Sequence, residues 1–330
     1  MSPPPKPEPR DFRQEVTDRI IALLEEGVAP WQKPWEAAKV PMPVSVATGK
    51  PYRGGNALQL YITSLERGYS NPRWMTYKQA ADHGWQVRKG ENGTPIEFWD
   101  FKSEEATTDA SEEGNDQQNG KKNEGLRQRR VIHRVYTVFN GQQIDGIPPL
   151  PARPLRTPIE MIESGERILA HSGARIQHDK ADRAFYRLAT DSIHLPQRDH
   201  FADAAGYYGT ALHELAHWTG HPSRLGRLTL SGASHFGDPG YAREELRAEL
   251  ASLFIAAEHG IPHDPRQNAA YVASWIKALK DDKHEIFRAA HDAAAAADYI
   301  LNLERSRDDT PEAETNVNRV QQTARGSRRH

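Results

Sequence analysis

Thr210-Ala211-Leu212-His213-Glu214-Leu215-Ala216-His217-Trp218-Thr219-Gly220, followed by Glu244-Glu245-Leu246-Arg247-Ala248-Glu249, decides how this chain is read. Each helical residue advances 100°, so His213 and His217 stand one turn apart on one face and can reach a single cation. Glu214 points to the flank of that face, where a carboxylate can take a proton from activated water. The flanking Leu212, Leu215 and Ala216 suit a buried helix rather than a polar histidine patch. With 15 His among 330 residues, chance supplies roughly 0.05 copies of His-Glu-x-x-His. The chain has no cysteine, which excludes thiolate zinc fingers, Fe–S clusters, disulfide scaffolds and cysteine nucleophiles. A metal can be held only by His and carboxylate, and Zn2+ is the ion this pattern predicts.

A catalytic zinc takes three protein ligands and leaves its fourth position to water. Metzincin enzymes place a third His six residues past the second. Here that position is Ser223, and His221 is out of register, which suits a loop or supporting role. Gluzincin-type peptidases use a Glu on a following helix, with an acidic residue four positions later that holds a ligand His. Glu245 and Glu249 resemble that spacing. The resemblance implies Glu245 as the metal ligand and Glu249 as the carboxylate that fixes an imidazole tautomer, with the reverse order as the alternative. Glu244 is expected to face elsewhere, into solvent. The strand ending Ser192-Ile193-His194-Leu195 is expected at a sheet edge, where an extended peptide could pair. Tyr186, Tyr207 and Tyr208 are oxyanion candidates, with core packing as the plainer reading of each.

The length suggests about two domains, and both come into view on moving outward from the motif. Five of the seven tryptophans precede residue 103, whereas most histidines lie in the second half. The expected organisation is α+β in two domains. A small mixed α+β domain (10–146) carries a disordered insertion (103–130), and a Pro-rich linker (147–158) leads to a mostly helical domain (159–305). Residues 1–9 and 306–330 read as disordered. The linker suggests halves that fold independently. No apolar run approaches the eighteen or so residues that span a bilayer, and the Pro-rich start lacks the core of a secretory signal, so a cytoplasmic protein without membrane contact is expected.

Lys+Arg 43 against Asp+Glu 45 gives a net charge of −2, which is no global nucleic-acid signature. Locally it differs. Between Lys50 and Gly90 seven Lys/Arg oppose Glu66 and Asp82, interleaved with Tyr52, Tyr61, Tyr69, Trp74, Tyr77 and Trp85. Bases stack on exposed rings while cations neutralise phosphates, so the mixture suits single-stranded DNA, with Lys50, Arg53, Trp74, Arg88 and Lys89 as candidate contacts. A small core with a solvated basic rim fits the same composition.

The chain resembles the ArdC-type antirestriction proteins of conjugative plasmids and related mobile elements. In the first half the resemblance rests on Gly27-x-x-Pro30-Trp31-x-x-Pro34-Trp35, Thr48-Gly49-Lys50-x-Tyr52-x-Gly54-x-Asn56, Trp74-x-Thr76-x-x-Gln79-Ala80 and Val87-Arg88-Lys89-Gly90-Glu91. In the second it rests on His213-Glu214-Leu215-x-His217-Trp218-Thr219-Gly220-His221 and Glu244-Glu245-Leu246-x-Ala248-Glu249-Leu250. It implies an N-terminal domain that binds single-stranded DNA, a C-terminal zincin-like metallopeptidase domain, and protection of incoming DNA from host restriction. The chain departs at Val44-Ser45-Val46, where relatives carry an Asn before Thr-Gly-Lys, and at Gly55, which replaces an aliphatic residue. Two functional classes stay open. One is an active peptidase brought to DNA, with an unknown protein substrate such as a host defence factor; the other is a DNA-binding protector whose zinc site is structural or dormant.

Overall fold

The computed structural model describes residues 11–27, 29, 40–103, 129–150, 158–231, 238–261 and 269–308. The expected disordered N-terminus, the Trp31–Trp35 loop, most of the expected insertion, the middle of the linker and the tail from 309 lie outside them.

Phe12, Val16, Ile20 and Leu24 recur at helical spacing and form the buried face of helix Phe12–Glu25, whose first turn Asp11 caps. A four-stranded sheet follows, ordered β1-β2-β5-β4. Its strands are β1 (Val44–Ser45), β2 (Arg73–Thr76), β4 (Thr94–Ser103) and β5 (Arg129–Asn140), and β3 (Gln86–Val87) and β6 (Ile144–Asp145) form a separate pair. Strands β4 and β5 run antiparallel from Thr94↔Val138 to Ser103↔Arg129, as their alternation predicts. The turn at Lys89-Gly90 does not join β3 to β4 in one hairpin. Val87 instead pairs with Ile144, because both pack into a small cluster with Met75 and Ala80.

Helix Gly54–Arg67 starts two residues before Asn56, so Asn56 does not cap it. Its side-chain amide brackets the backbone of Glu97 instead, donating to the carbonyl at 2.7 Å and accepting from the N–H at 2.9 Å. Both polar groups are thereby satisfied where the helix meets β4.

The second half holds helix Pro158–Ser172, a three-stranded sheet, and the helices Ala204–Thr219, Pro239–His259, Ala269–Asp281 and Glu285–Asp308. The sheet order is β7 (Arg175–Asp179), β9 (Ser192–Pro196), β8 (Phe185–Arg187). Ser192–Leu195 is therefore the central strand, flanked by parallel β7 and antiparallel β8, with Ile193 and Leu195 fully buried. The edge next to the histidine helix is β8. No described helix is long and apolar enough to cross a membrane.

The two halves do not have separate cores. Phe12, Ile20, Leu58 and Tyr61 belong to the same buried cluster as Leu212, Leu250, Phe254 and Phe287. Ion pairs reinforce the junction, with Arg53 to Asp298 at 2.7 Å and Lys280 to Glu25 at 2.6 Å. The linker suggests independent halves, yet in the structure their largest buried cluster is shared.

Gly55 lies at this junction. A Cβ there would stand 2.5 Å from the Phe287 ring, so the ring occupies the space an aliphatic side chain would need. Gly55→Ala should destabilise the full chain by about 1–3 kcal/mol. Adding Phe287→Leu, which withdraws the clashing ring edge, should leave a smaller loss than the two single effects summed. Urea unfolding followed by tryptophan fluorescence measures this, and strict additivity would contradict the contact.

A candidate metal centre between two helices

Helix Ala204–Thr219 begins where the Asp203 carboxylate accepts from the Gly206 N–H at 2.8 Å. Leu212, Leu215 and Ala216 are fully buried and fix its rotation. Helix Pro239–His259 lies against it, with Leu246, Leu250 and Leu253 also fully buried. Packing these apolar faces together forces the histidines of one helix onto the carboxylates of the other.

The Nε2 atoms of His213 and His217 stand 3.2 Å apart. Glu245 reaches both, with one carboxylate oxygen 3.3 Å from His213 Nε2 and the other 3.4 Å from His217 Nε2. One ligand atom from each of the three lies within 4.8 Å of the others. Behind the rings, Glu249 stands 3.4 Å from His213 Nδ1 and Glu244 stands 3.3 Å from His217 Nδ1. Each ring thus turns its Nε2 inward and rests its Nδ1 on a carboxylate, the orientation a metal-binding imidazole needs. Two imidazole nitrogens and one carboxylate could hold a divalent cation with a position left open.

Glu244 is the residue the sequence reading misplaced. It is 2% exposed, not solvated. Arg227 donates to it from Nε at 3.1 Å and from a terminal nitrogen at 2.6 Å, and Thr229 donates at 2.5 Å. Arg227 also donates to Thr219 Oγ1 and to the Ala216 carbonyl, each at 2.7 Å. A Cβ on Gly220 would come 2.8 Å from that guanidinium, so Thr219-Gly220 forms its seat. Asking for one backing carboxylate per imidazole would have signalled a third acid near Glu245.

Glu214 is buried and accepts the backbone N–H of Tyr186 in β8, which ties the motif helix to the sheet edge. Burial raises its pKa, against the pull of His213 and His217. Burial disfavours the charged imidazoles too, but Glu245 and Glu244 outweigh it at His217, which is pushed up to about 9. Hydrogen bonds from Glu245 and Glu249 likewise overcome burial and lift His213. Glu244, although burial opposes ionisation, is held down to about 2 by His217 and Arg227. Glu245 is held below the usual carboxylate range despite its burial, by His217 and His213.

The tyrosines first considered are occupied elsewhere. Tyr186 donates to Asp191 at 2.8 Å, Tyr208 donates to Glu166 at 2.7 Å, and Tyr207 bonds His178 at 3.1 Å. The phenol at the cluster is Tyr241, four residues before Glu245, which hydrogen-bonds that carboxylate and lies 3.0 Å from the Tyr271 hydroxyl. Its i, i+4 spacing to Glu245 was the available signal. His221 bonds Ser223 at 2.7 Å and stands outside the cluster.

The structure does not gather the expected nucleic-acid contacts. Lys50, Arg88 and Lys89 are exposed, with Arg88 paired to Glu91 at 2.9 Å. Arg53 is engaged by Asp298. Trp74 is 0% exposed, packed among Leu60, Ile96 and Val138, so its ring cannot stack on a base.

Two results should follow. Glu244→Ala should weaken divalent-metal affinity about 10–100-fold while leaving His213, His217 and Glu245 in place; chelator competition measures it, and unchanged affinity would remove Glu244 from the centre. Because both imidazoles titrate above their ordinary range, metal entry must displace protons near neutral pH. Affinity should therefore rise with pH through neutrality and level off only above about 9, once His217 has lost its proton. A flat profile between pH 6.5 and 9 would contradict the protonated metal-free state.

Comparison with known proteins places this geometry. Residues 10–139 match the N-terminal domain of anti-restriction factor ArdC, and residues 163–292 match a zincin-like metallopeptidase family. A DNA primase TraC of Escherichia coli is 50% identical over 308 residues, covering 89% of this chain but 27% of that protein. This chain thus spans about a quarter of that relative's length. The uncharacterised Sinorhizobium fredii protein y4eC is 39% identical over 295 residues, with 88% of this chain and 92% of that protein covered. The crystal structure of the antirestriction protein ArdC from plasmid R388, metal-free, is 39% identical with TM-score 0.70, covering 90% of this chain and 99% of that one. Its Mn(II)-bound structure is 38% identical with TM-score 0.69, covering 89% and 98%. The chain belongs to the ArdC family of antirestriction proteins, an ArdC-type N-terminal domain followed by a zincin-like metallopeptidase domain.

Proposed function

We propose that this protein binds single-stranded DNA through its N-terminal domain, carries a zinc-dependent metallopeptidase site, and acts in the cytoplasm to protect incoming mobile-element DNA from host restriction. The observation that carries the peptidase reading is the convergence of His213 Nε2, His217 Nε2 and the Glu245 carboxylate beside buried Glu214. Two imidazoles and one carboxylate suit zinc, and the Mn(II)-bound relative supports a divalent cation in this fold. His213, His217 and Glu245 would hold the ion, with Glu249 and Glu244 orienting the rings.

When bound, the cation polarises a peptide carbonyl and lowers the pKa of water. Glu214 takes the proton that water loses as its oxygen bonds the carbonyl carbon, then delivers it to the departing amine as the C–N bond breaks. Its raised pKa favours holding that proton between the two steps. Strand β8 lies at the sheet edge and places the Tyr186 N–H on Glu214, so an extended substrate strand laid along β8 runs past the base. A host protein that accompanies or senses incoming DNA is the substrate this arrangement serves.

Glu214→Gln removes the proton acceptor and keeps the metal residues. It should retain zinc and single-strand binding yet give reduced protection when DNA enters restricting hosts, measured against non-restricting hosts by transformation efficiency. Full protection by Glu214→Gln would favour the other reading, a DNA-covering protector with a dormant site.

A further inference from the structure

Of the aromatic residues expected to meet DNA, Trp74 and Tyr61 are buried, and the structure exposes a second set on the β4–β5 hairpin. Along the β4–β5 hairpin burial changes abruptly at residue 97. Thr94, Ile96 and Glu97 are buried, whereas Phe98 is 52% exposed and Trp99 42% exposed. On β5 the exposed run includes His133, Arg134, Val135 and Tyr136. The inner half of the hairpin belongs to the core, whereas residues 98–99 and 133–137 are exposed.

The two faces of that outer half differ. Phe98 registers opposite Arg134 and sits diagonal to Tyr136, their rings 6.1 Å apart at 74°. On the other face Trp99 packs against His133, ring centroids 4.3 Å apart and tilted by 31°, and receives the Arg13 guanidinium at 5.4 Å, lining a cleft of about 640 Å³ between the domains. Trp99 is thus engaged from within the chain. Phe98 and Tyr136 have one another and the Arg134 side chain, which reaches the Tyr136 hydroxyl at 3.5 Å.

Charge follows the same division. In sequence, the hairpin strands beyond residue 97 carry Lys102, Arg129, Arg130 and Arg134 against the single acid Asp100. The chain as a whole is near neutral, so this cationic excess is local. Adjacent exposed rings on a sheet face, beside the Arg134 guanidinium, supply what an unpaired strand requires. The rings stack bases that a duplex keeps buried, and the cations neutralise phosphates. A purely apolar docking face would not concentrate cations, and a duplex-binding face would not need the rings.

We propose that the Phe98–Tyr136–Arg134 face of the β4–β5 hairpin is the platform on which this protein stacks single-stranded DNA. The assignment rests on the DNA-binding reading above and moves the contact away from Trp74 and Arg53. Because the rings are exposed, their removal should not disturb the fold.

The test uses the full chain and fluorescence anisotropy of a labelled oligothymidylate. Phe98→Ala and Tyr136→Ala should each weaken binding roughly 5- to 150-fold, the range that loss of one stacked base implies. Phe98→Leu and Tyr136→Leu, which keep apolar area without a flat ring, should weaken it similarly. Arg134→Gln should lower the slope of log affinity against log salt by about one. Tyr77→Ala, an exposed ring elsewhere, should have no effect. Wild-type affinity in the hairpin variants, or recovery of binding by the leucine variants, would overturn the platform while leaving DNA binding standing. Failure of the wild-type chain to bind any single strand would defeat the DNA reading itself.

Discussion

Everything at the metal centre depends on burying two imidazoles with three carboxylates between two packed helices. Charges removed from water are tolerated only when paired and hydrogen-bonded. Here each has a partner: Glu245 bridges both Nε2 atoms, Glu249 backs His213, and Glu244 joins His217 to Arg227. Raised histidine and lowered glutamate pKa values are two sides of that pairing. Removing one member would leave its partner charged and buried, at a cost of about 3–5 kcal/mol. The same arrangement keeps the helices registered and brings one ligand atom each from His213, His217 and Glu245 within 4.8 Å of one another.

The core that supports this centre continues into the N-terminal half. Helix Phe12–Glu25 and helix Gly54–Arg67 bury their apolar faces among the C-terminal helices. Asn56 then clamps the second of these to β4, the strand whose outer half presents Phe98. The hairpin and the metal centre are thus parts of one continuous packing arrangement. A strand held at the hairpin and a protein held along β8 would be gathered by a single folded body, in keeping with a family defined by antirestriction.

What was legible in the sequence was what local periodicity governs. His213 and His217 follow from a four-residue step on a helix, whereas Glu245 and Glu249 came from the resemblance to gluzincin-type peptidases. Glu244 was misplaced because its partner Arg227 arrives from a loop that no periodicity predicts. The pairing of Val87 with Ile144 was not visible, because it joins residues fifty-seven positions apart. Ser192–Leu195 read as a strand, yet its central position is set by β7, whose sequence Arg-Ile-Gln-His-Asp carries only one aliphatic residue. Composition identified a basic, aromatic segment without showing which rings are covered. Trp74 went to the core, Tyr77 stayed exposed, and further exposed rings lay on the hairpin beyond them.

The central claim is that His213, His217 and Glu245 together hold one divalent cation, and crystals of the zinc-loaded protein test it most directly. Anomalous difference maps recorded on either side of the zinc absorption edge should show one strong site per chain. It should be bonded to both Nε2 atoms at about 2.0–2.1 Å and to a Glu245 oxygen at about 2.0–2.2 Å. Glu249 and Glu244 should remain on the Nδ1 atoms. A site bonded to Glu249 in place of Glu245, or anomalous density away from His213 and His217, would contradict it.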